Sequence, residues 1–404
     1  MTAMRDDSVP LGEEDLSDWH NALRAQFPII TGHPELAYLD SAATAQKPQA
    51  VLDVVQDYLT TSNANAGRGT YPWANRTTGL IEETRERVRT FLDDPDPAGS
   101  TVHFVSGTTE GLRTVALDWL TRELADGDEI VVPFADHEAN VSPWLEAVES
   151  LAREGTRVTV REMPYQSSSG DYDTEKLREL VSPRTRFVAV THVHHVYGGD
   201  MNVHRVRRAV GPDVVICLDA AQSVGHLPVS MRALDVDFAV FSGHKALALP
   251  GSGAVWARGV RGAPLTPRGW SGTPNTVGIA GLGAALDWLE RAGPERIERW
   301  TVDLAARLTE GLSRLEAFDV LGCQLSLARD SSVQRRHGIV TFRHRDIDSV
   351  DLGFILFSHG FMVRTDGLCQ GRAGEKRTSV RVSLHAYNSR QEVTRLLDVL
   401  TGLA

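Results

Sequence analysis

Short apolar runs alternate with amphipathic stretches from about residue 80 to residue 293. Residues 80–92 predict an amphipathic helix, because apolar residues such as Leu80, Val88 and Leu92 recur at helical spacing. Strands are predicted at residues 102–105, 129–132, 158–161, 187–191, 214–218, 238–241 and 254–257. Most of these runs do not alternate with polar residues, which is typical of strands buried on both faces of a parallel sheet. The pattern therefore predicts an α/β fold with helical crossovers.

The pattern changes near Gly293. A long helix is predicted from about residue 295, with shorter strands at 338–342, 362–365 and 379–383. The last helix opens with a capping box formed by Ser389 and Glu392. We expect an N-terminal arm at residues 1–35 that packs with the small domain, a large domain at 36–293, and a smaller α+β domain at 294–404.

Composition narrows the class of protein. The 404 residues carry a net charge of −11 without a basic patch, which argues against nucleic acid as a partner. No apolar run is long enough for a bilayer, and the start lacks the order of a secretory signal, so no membrane association is expected. The three cysteines, Cys217, Cys323 and Cys369, are far apart and odd in number. This usage suits a reducing cytosol, so a cytoplasmic protein is predicted.

Polar residues follow several predicted strands, where ligands bind in open α/β sheets. The turn at residues 106–110 precedes a helix, so it is either a phosphate site or a simple helix cap. Asp219 ends an apolar strand and could hold a proton on a ring nitrogen, or it could be a turn residue. Gln222 could bond a ring substituent or fill a polar turn.

Lys245 follows the predicted strand at 238–241 in the segment FSGHK. A lysine at the end of a buried strand is costly unless it has a role, and a Schiff-base lysine must be partly desolvated to be nucleophilic. Ser242 and His244 flank it and could bind a phosphate. The alternative is a surface lysine that extends from a loop.

The segment FSGHK after LDAAQSVGHLPVSMRALDVDF resembles the cofactor-lysine segment of class V aminotransferases, which use pyridoxal 5′-phosphate (PLP). Within that group the chain is most similar to the cysteine desulfurase and selenocysteine lyase family. The resemblance runs from about Tyr38 to the C-terminus through AYLDSAATAQKP, NANAGRG, SGTTEG, DHEANVSPW, THVHHVYGG, SGTPNT, GLGAALDWLE, VRTDGLC and VRVSLHAYN. It implies PLP fold type I, with a mainly parallel seven-stranded sheet in the large domain and a smaller α+β C-terminal domain.

The resemblance also implies roles for individual residues. Catalysis would involve Lys245, His137 and Cys369. PLP would contact Lys245, Asp219, Gln222, Thr108, Thr109, Ser242, His244, His137, Thr273 and His195. The amino-acid substrate would contact Ala42, Arg364 and Arg381.

Several of these roles are specific. Lys245 would bind PLP covalently, Asp219 would keep the ring nitrogen protonated, and His137 would stack on the ring and assist proton transfer. Thr109, Ser242, His244 and the N–H of Thr108 would hold the phosphate. Thr273 would reach the phosphate of a second subunit, which implies a homodimer. Arg381 would bind the substrate carboxylate, for which a guanidinium is well shaped.

Cys369 distinguishes the possible reactions. Its place five residues after Arg364 matches the desulfurase nucleophile that accepts sulfur as a persulfide, and the alternative is an incidental loop cysteine. The desulfurase interpretation implies C–S cleavage of L-cysteine or a related sulfur or selenium amino acid, with a sulfur-acceptor protein as partner. The second interpretation is β-elimination, decarboxylation, epimerisation or C–C bond formation on another amino acid. A third is a non-catalytic scaffold for a sulfur-carrier partner, which the intact Lys245, Asp219 and His137 disfavour.

Three departures from the family pattern lie in the expected pocket. His195 stands where the family usually has an asparagine, Gly67 replaces a histidine, and Gly367 and Leu368 replace polar residues before the cysteine. These departures favour the second interpretation of the substrate. His194 and His195 also suggest a metal, but neither a carboxylate nor a thiol accompanies them in the pattern, so no metal is predicted.

Overall fold

The computed structural model describes residues 13–67, 69–166, 170–259, 265, 273–322, 336–365 and 379–404. The helices are α1 Glu13–Arg24, α2 Pro28–Thr31, α3 Gln49–Thr61, α4 Pro72–Phe91, α5 Thr108–Val115, α6 Thr121–Glu123, α7 Ser142–Arg153, α8 Thr174–Leu180, α9 Val203–Val210, α10 Met231–Leu234, α11 Thr276–Ala292, α12 Pro294–Ser313, α13 Ser349–Ser358 and α14 Arg390–Thr401. The strands are β1 Ala37–Tyr38, β2 Thr101–Val105, β3 Glu129–Val132, β4 Thr159–Glu162, β5 Thr185–Thr191, β6 Val215–Asp219, β7 Phe238–Ser242, β8 Gly253–Ala257, β9 Phe318–Val320, β10 Ile339–His344, β11 Phe361–Met362 and β12 Val380–Ser383. A π-helical turn at Ala116–Leu120 and a 3-10 turn at Glu138–Asn140 complete the described elements.

The seven predicted strands of the large domain form one sheet in the order β2-β8-β7-β6-β5-β3-β4. Five of them, from β7 to β4, run parallel, whereas β8 is antiparallel to both β7 and β2. The expected mainly parallel seven-stranded sheet is therefore confirmed. Helices cover both of its faces. The central strands are therefore buried on both sides, which explains why their apolar runs do not alternate with polar residues.

Neighbouring residues of each central strand belong to opposite cores. In β6, Ile216 and Leu218 pack with helices α3, α4, α9 and α11, whereas Val215 and Cys217 pack with α5 and α7. The strand β4 is the exception, because it lies at the edge of the sheet and exposes Thr159, Arg161 and Glu162 to solvent. At this edge the helices leave the faces of β4 partly in contact with solvent, so the strand need not be apolar on both faces.

A buried arginine ties α9 to the strands that carry the site. The guanidinium of Arg207 donates to the carboxylate of Asp237 at 2.7 Å and to three backbone carbonyls at 2.7–2.9 Å. The same carboxylate oxygen of Asp237 accepts the backbone N–H of Ile216 in β6 at 2.9 Å. Both side chains are buried, and this hydrogen-bonded group stabilises β6 and β7 against α9.

A second core forms from the C-terminal part of the chain. The sheet β12-β10-β9 is antiparallel and packs against α12, α13 and α14. The short strands β1 and β11 pair in parallel, so Ala37 and Leu39 pack in this second core rather than with the large sheet. Leu16 of α1 packs here too, whereas Leu23 packs with the large-sheet core. The divisions at residues 35/36 and 293/294 remain predictions.

The capping box predicted at Ser389 and Glu392 is present, and it starts α14. The helix predicted at residues 80–92 is longer than expected, since α4 begins at Pro72, whose missing N–H suits a first helical turn. Within the described ranges, no helix combines the length and the apolar character needed to cross a bilayer.

Candidate active site

The candidate site lies where three parallel strands end. Thr191, Asp219 and Ser242 are the last residues of β5, β6 and β7. Thr191 and Asp219 are paired in register, and Lys245 follows three residues after Ser242. The local sequence explains the arrangement, because each strand is an apolar run that ends in a polar residue at the carboxyl edge of the sheet.

Two adjoining cavities contain nearly all of the predicted site residues that the structure describes. The inner cavity, of about 210 Å³, is lined by Thr108, Thr109, His137, Ala139, Thr191, His195, Asp219, Ala221, Gln222, Ser242, His244 and Lys245. The outer cavity, of about 170 Å³, is lined by Ala42, Ala43, His137, His195, Gln222, Lys245, Arg364 and Arg381. Four residues line both cavities: His137, His195, Gln222 and Lys245. The two cavities therefore adjoin at these four side chains.

The inner cavity ends at the start of α5, where hydroxyl groups gather. The N–H and the Oγ1 of Thr108 both lie 2.8 Å from the Oγ of Ser242, so the predicted phosphate donor Thr108 N–H is bonded to Ser242 here. Thr109 and His244 complete this end of the cavity. Gly107 leaves room, because a Cβ there would lie 3.2 Å from the Ser242 Oγ. A small polar recess at a helix start is suited to a phosphate group.

Asp219 and His137 define the middle of the space. Burial raises the pKa of Asp219, while the N–H of Ala221, which bonds its Oδ1 at 2.9 Å, and the charge of Lys245 lower it. Burial and then the Lys245 charge lower the pKa of His137 to about 4. His137 Nδ1 accepts the N–H of Ala139 at 3.1 Å, so a neutral ring carries its hydrogen on Nε2. The cavity therefore combines a buried carboxylate, a nearby cation and a neutral ring. This combination suits a heterocyclic ligand whose ring nitrogen is protonated.

Gln222 supplies a direct test of whether PLP fits. Its Nε2 donates to the carbonyl of Ala42 at 3.0 Å, whereas its Oε1 is buried without a hydrogen-bond partner in the described structure. An orphaned amide oxygen on a cavity wall is costly unless a ligand satisfies it. Together with the hydroxyls, the carboxylate and the lysine, this group matches the polar groups of PLP, so the residues present fit the cofactor.

Two arginines face the outer cavity, and one carboxylate holds them. Arg381 donates to Asp40 Oδ1 at 3.2 Å and to the carbonyl of His195 at 3.1 Å. Arg364 lies 4.0 Å from Asp40 Oδ2, and its backbone exchanges two hydrogen bonds with that of Arg381. Sequence reasoning did not single out Asp40, although its position two residues after the end of β1 is a signal similar to the one that identified Asp219.

Some predicted residues are not brought into this space. Thr273 is described and exposed, and its proposed role concerns a second subunit. Cys369 lies outside the described residues, as do Gly367 and Leu368. Gly67 has a φ of 77°, a left-handed conformation that favours glycine.

The histidines after β5 form a buried stack. His195 lies edge-on to His137 with ring centroids 5.0 Å apart and is stacked on His194 at the same separation. Burial lowers the pKa of His194 to about 4, so the ring is neutral at pH 7. In the part of the chain that the structure describes, no group of three or more potential ligand residues is arranged to hold a metal.

Comparison with known proteins identifies the family. The family model for class-V aminotransferases matches residues 37–268 and 263–396. A probable cysteine desulfurase of Vibrio cholerae is 32% identical over 94% of this chain and 97% of its own length. The cysteine desulfurase CsdA of Escherichia coli is 30% identical over 93% and 96%.

Solved structures agree with this assignment. The apo cysteine desulfurase of Thermococcus onnurineus NA1 is 28% identical, with a TM-score of 0.83 over 95% of this chain and 97% of that one. The Escherichia coli CsdA structure is also 28% identical, with a TM-score of 0.79 over 94% and 97%. These comparisons confirm the predicted PLP fold type I and a PLP-dependent enzyme class. The chain belongs to the class-V aminotransferase family.

Proposed function

We propose that the protein is a PLP-dependent cysteine desulfurase that removes sulfur from L-cysteine or from a related sulfur or selenium amino acid. One observation carries the proposal: the inner cavity, lined by Asp219, adjoins at Lys245 the outer cavity, which is lined by Arg364 and Arg381. The names of the relatives support the choice of substrate.

The residues of the inner cavity would hold the cofactor. Lys245 would bind it covalently through Nζ, and Asp219 would hold a proton on its ring nitrogen. Thr109, Ser242 and His244 would receive the phosphate. When bound, PLP supplies an electron sink that stabilises negative charge at the substrate α-carbon.

The outer cavity would orient the substrate. Arg381 is buried and fixed by Asp40 and by the carbonyl of His195, so its guanidinium is preorganised to bind an α-carboxylate. His137 is held as a neutral ring whose hydrogen is on Nε2, so from this tautomer it can donate a hydrogen bond or a proton at Nε2.

The sulfur would pass to Cys369. Its thiolate would attack the substrate sulfur, the C–S bond would break, and the products would be alanine and a persulfide on Cys369, which balances one cysteine and one thiol. A sulfur-acceptor protein would then collect the sulfur. Thr273 would complete the phosphate site of a partner subunit, so the enzyme would be a homodimer, acting in the cytoplasm.

Incubation with L-cysteine tests the reaction. We expect alanine release and, by mass spectrometry, one added sulfur atom on the peptide that contains Cys369. Cys369→Ala should abolish sulfur transfer while the absorbance of bound PLP stays unchanged, and Cys217→Ala, at a buried cysteine of β6, is the matched control. Lys245→Ala should remove the borohydride-reducible bond to PLP together with all turnover.

Two results would contradict the proposal. One is that cysteine gives no alanine, while another amino acid is turned over. The other is that Cys369→Ala keeps the wild-type rate and no sulfur is bound to the protein, which would favour a different PLP reaction.

A further inference from the structure

Three polar side chains form a hydrogen-bonded cluster next to the candidate cofactor cavity. Asp136 has none of its surface exposed, and its Oδ1 and Oδ2 lie 2.7 Å from the hydroxyls of Tyr165 and Tyr172 respectively. The two tyrosine rings contact each other edge-on with centroids 5.3 Å apart. We call Asp136, Tyr165 and Tyr172 the Asp136 cluster. None of its members is among the described residues that line the two cavities.

The direction of the hydrogen bonds can be read from a third contact. The backbone N–H of Thr191 lies 2.8 Å from the Tyr172 hydroxyl, and an N–H can only donate. The Tyr172 oxygen therefore accepts from Thr191, and its own hydrogen is directed to Asp136 Oδ2. Both carboxylate oxygens thus face hydroxyl donors, an arrangement that stabilises the ionised carboxylate.

The charge of Asp136 is finely balanced. Burial raises its pKa to about 7, the bonds from Tyr165 and Tyr172 lower it, and the charge of Asp219 raises it. Burial also raises the pKa of both tyrosines well above the ordinary value, so they remain neutral donors. Loss of either hydroxyl should shift Asp136 toward its protonated form.

The cluster joins two loops that carry cavity residues. Asp136 directly precedes His137, whose ring lines both cavities. Tyr172 binds the end of β5 at Thr191, which lines the inner cavity and pairs in register with Asp219. Asp136 is therefore fixed between the loop that carries His137 and the end of β5, which lies beside Asp219.

We propose that Asp136 is a positioning residue of the cofactor site: held by Tyr165 and Tyr172, it fixes the His137 loop against the end of β5. This inference rests on the proposed PLP site but not on which amino acid is the substrate. Removing the carboxylate of Asp136 should release the His137 loop, weaken PLP binding and change the orientation of the cofactor.

The test compares Asp136→Asn, Tyr165→Phe and Tyr172→Phe with Asp94→Asn. Asp94 is a matched control, because it is buried and its Oδ2 accepts the indole N–H of Trp256 at 2.9 Å, away from the site. PLP is titrated into each apoprotein, and its affinity, induced circular dichroism and pH-dependent absorbance are recorded. We expect Asp136→Asn to weaken PLP binding about tenfold, the loss of a charged hydrogen-bond acceptor. The control should stay within about twofold of wild type.

The spectra of the bound cofactor separate positioning from general stability. In Asp136→Asn the induced circular dichroism of the bound cofactor should change, because the His137 loop is no longer held, and the double variant Asp136→Asn/Tyr165→Phe should bind PLP no more weakly than Asp136→Asn alone. If Asp136→Asn does not fold, Tyr165→Phe gives the same comparison with a smaller change. Wild type that fails to bind PLP would overturn the proposed function and this inference together. Normal PLP binding and spectra in all three variants would overturn this inference alone.

Discussion

Replacing Arg207 with methionine should lower the free energy of unfolding by about 3–5 kcal/mol, the usual cost of breaking a buried ion pair. The side chain donates to one carboxylate and to three backbone carbonyls, all within 2.9 Å. Methionine fills a similar volume but donates nothing. Asp237 would lose its guanidinium partner while remaining buried, although it would keep the N–H of Ile216.

Urea denaturation of the apoprotein, followed by tryptophan fluorescence at one fixed protein concentration, measures this loss. Arg153→Met is the matched control, because Arg153 pairs with Glu149 at 3.6 Å while both side chains are mostly exposed. Exposed pairs contribute about 0–1 kcal/mol, so the control should change little. If Arg207→Met lost no more than Arg153→Met, the claim that this group supports β6 and β7 would be refuted.

The remaining predictions concern the substrate, acidity and assembly. Arg381→Lys should raise KM for the amino acid about 10–100-fold with an unchanged PLP spectrum, since lysine cannot form the paired bonds of a guanidinium; an unchanged KM would exclude this role. Burial lowers the pKa of His192, His194 and His226 to about 4, so they are neutral when folded but protonate near pH 6.5 when unfolded. Their contribution to the free energy of unfolding is therefore present above pH 6.5. It is lost as the pH falls toward 4, by about 1.4 kcal/mol per pH unit for each histidine. Urea midpoints that do not fall between pH 6.5 and pH 5 would contradict this prediction. Sedimentation should show a dimer, and Thr273→Ala should weaken PLP binding; a fully active monomer would rule out the shared site.

Much of the inner cavity could be predicted because its residues have local signals. Asp219 and Ser242 each end an apolar run, and Lys245 follows one, so the apolar pattern by itself places all three at strand ends. Parallel strands bring such ends to one edge of the sheet, and the three residues do lie along one cavity. Their chemical roles stay predictions.

The Asp136 cluster could not be predicted in this way. Tyr165 and Tyr172 lie 29 and 36 positions from Asp136 in the chain, on a segment without helical or strand periodicity. Their meeting depends on the long-range packing of two loops, which composition and periodicity do not encode. The exposure of β4 was missed for a related reason, since a strand's place at the sheet edge is a property of the whole strand order.

The order of the large sheet has a consequence for synthesis on the ribosome. The strand β2 lies beside β8, yet roughly 150 residues separate the two in the chain. At a translation rate of about 5–20 residues per second, β8 is therefore synthesised about 7–30 s after β2. During this interval the backbone of β2, which carries the apolar residues Val102, Phe104 and Val105, has not yet paired with β8. Strands with unpaired backbone edges associate with other chains. High expression should therefore depend on chaperones that act on the nascent chain, and slower translation between β2 and β8 should increase aggregation.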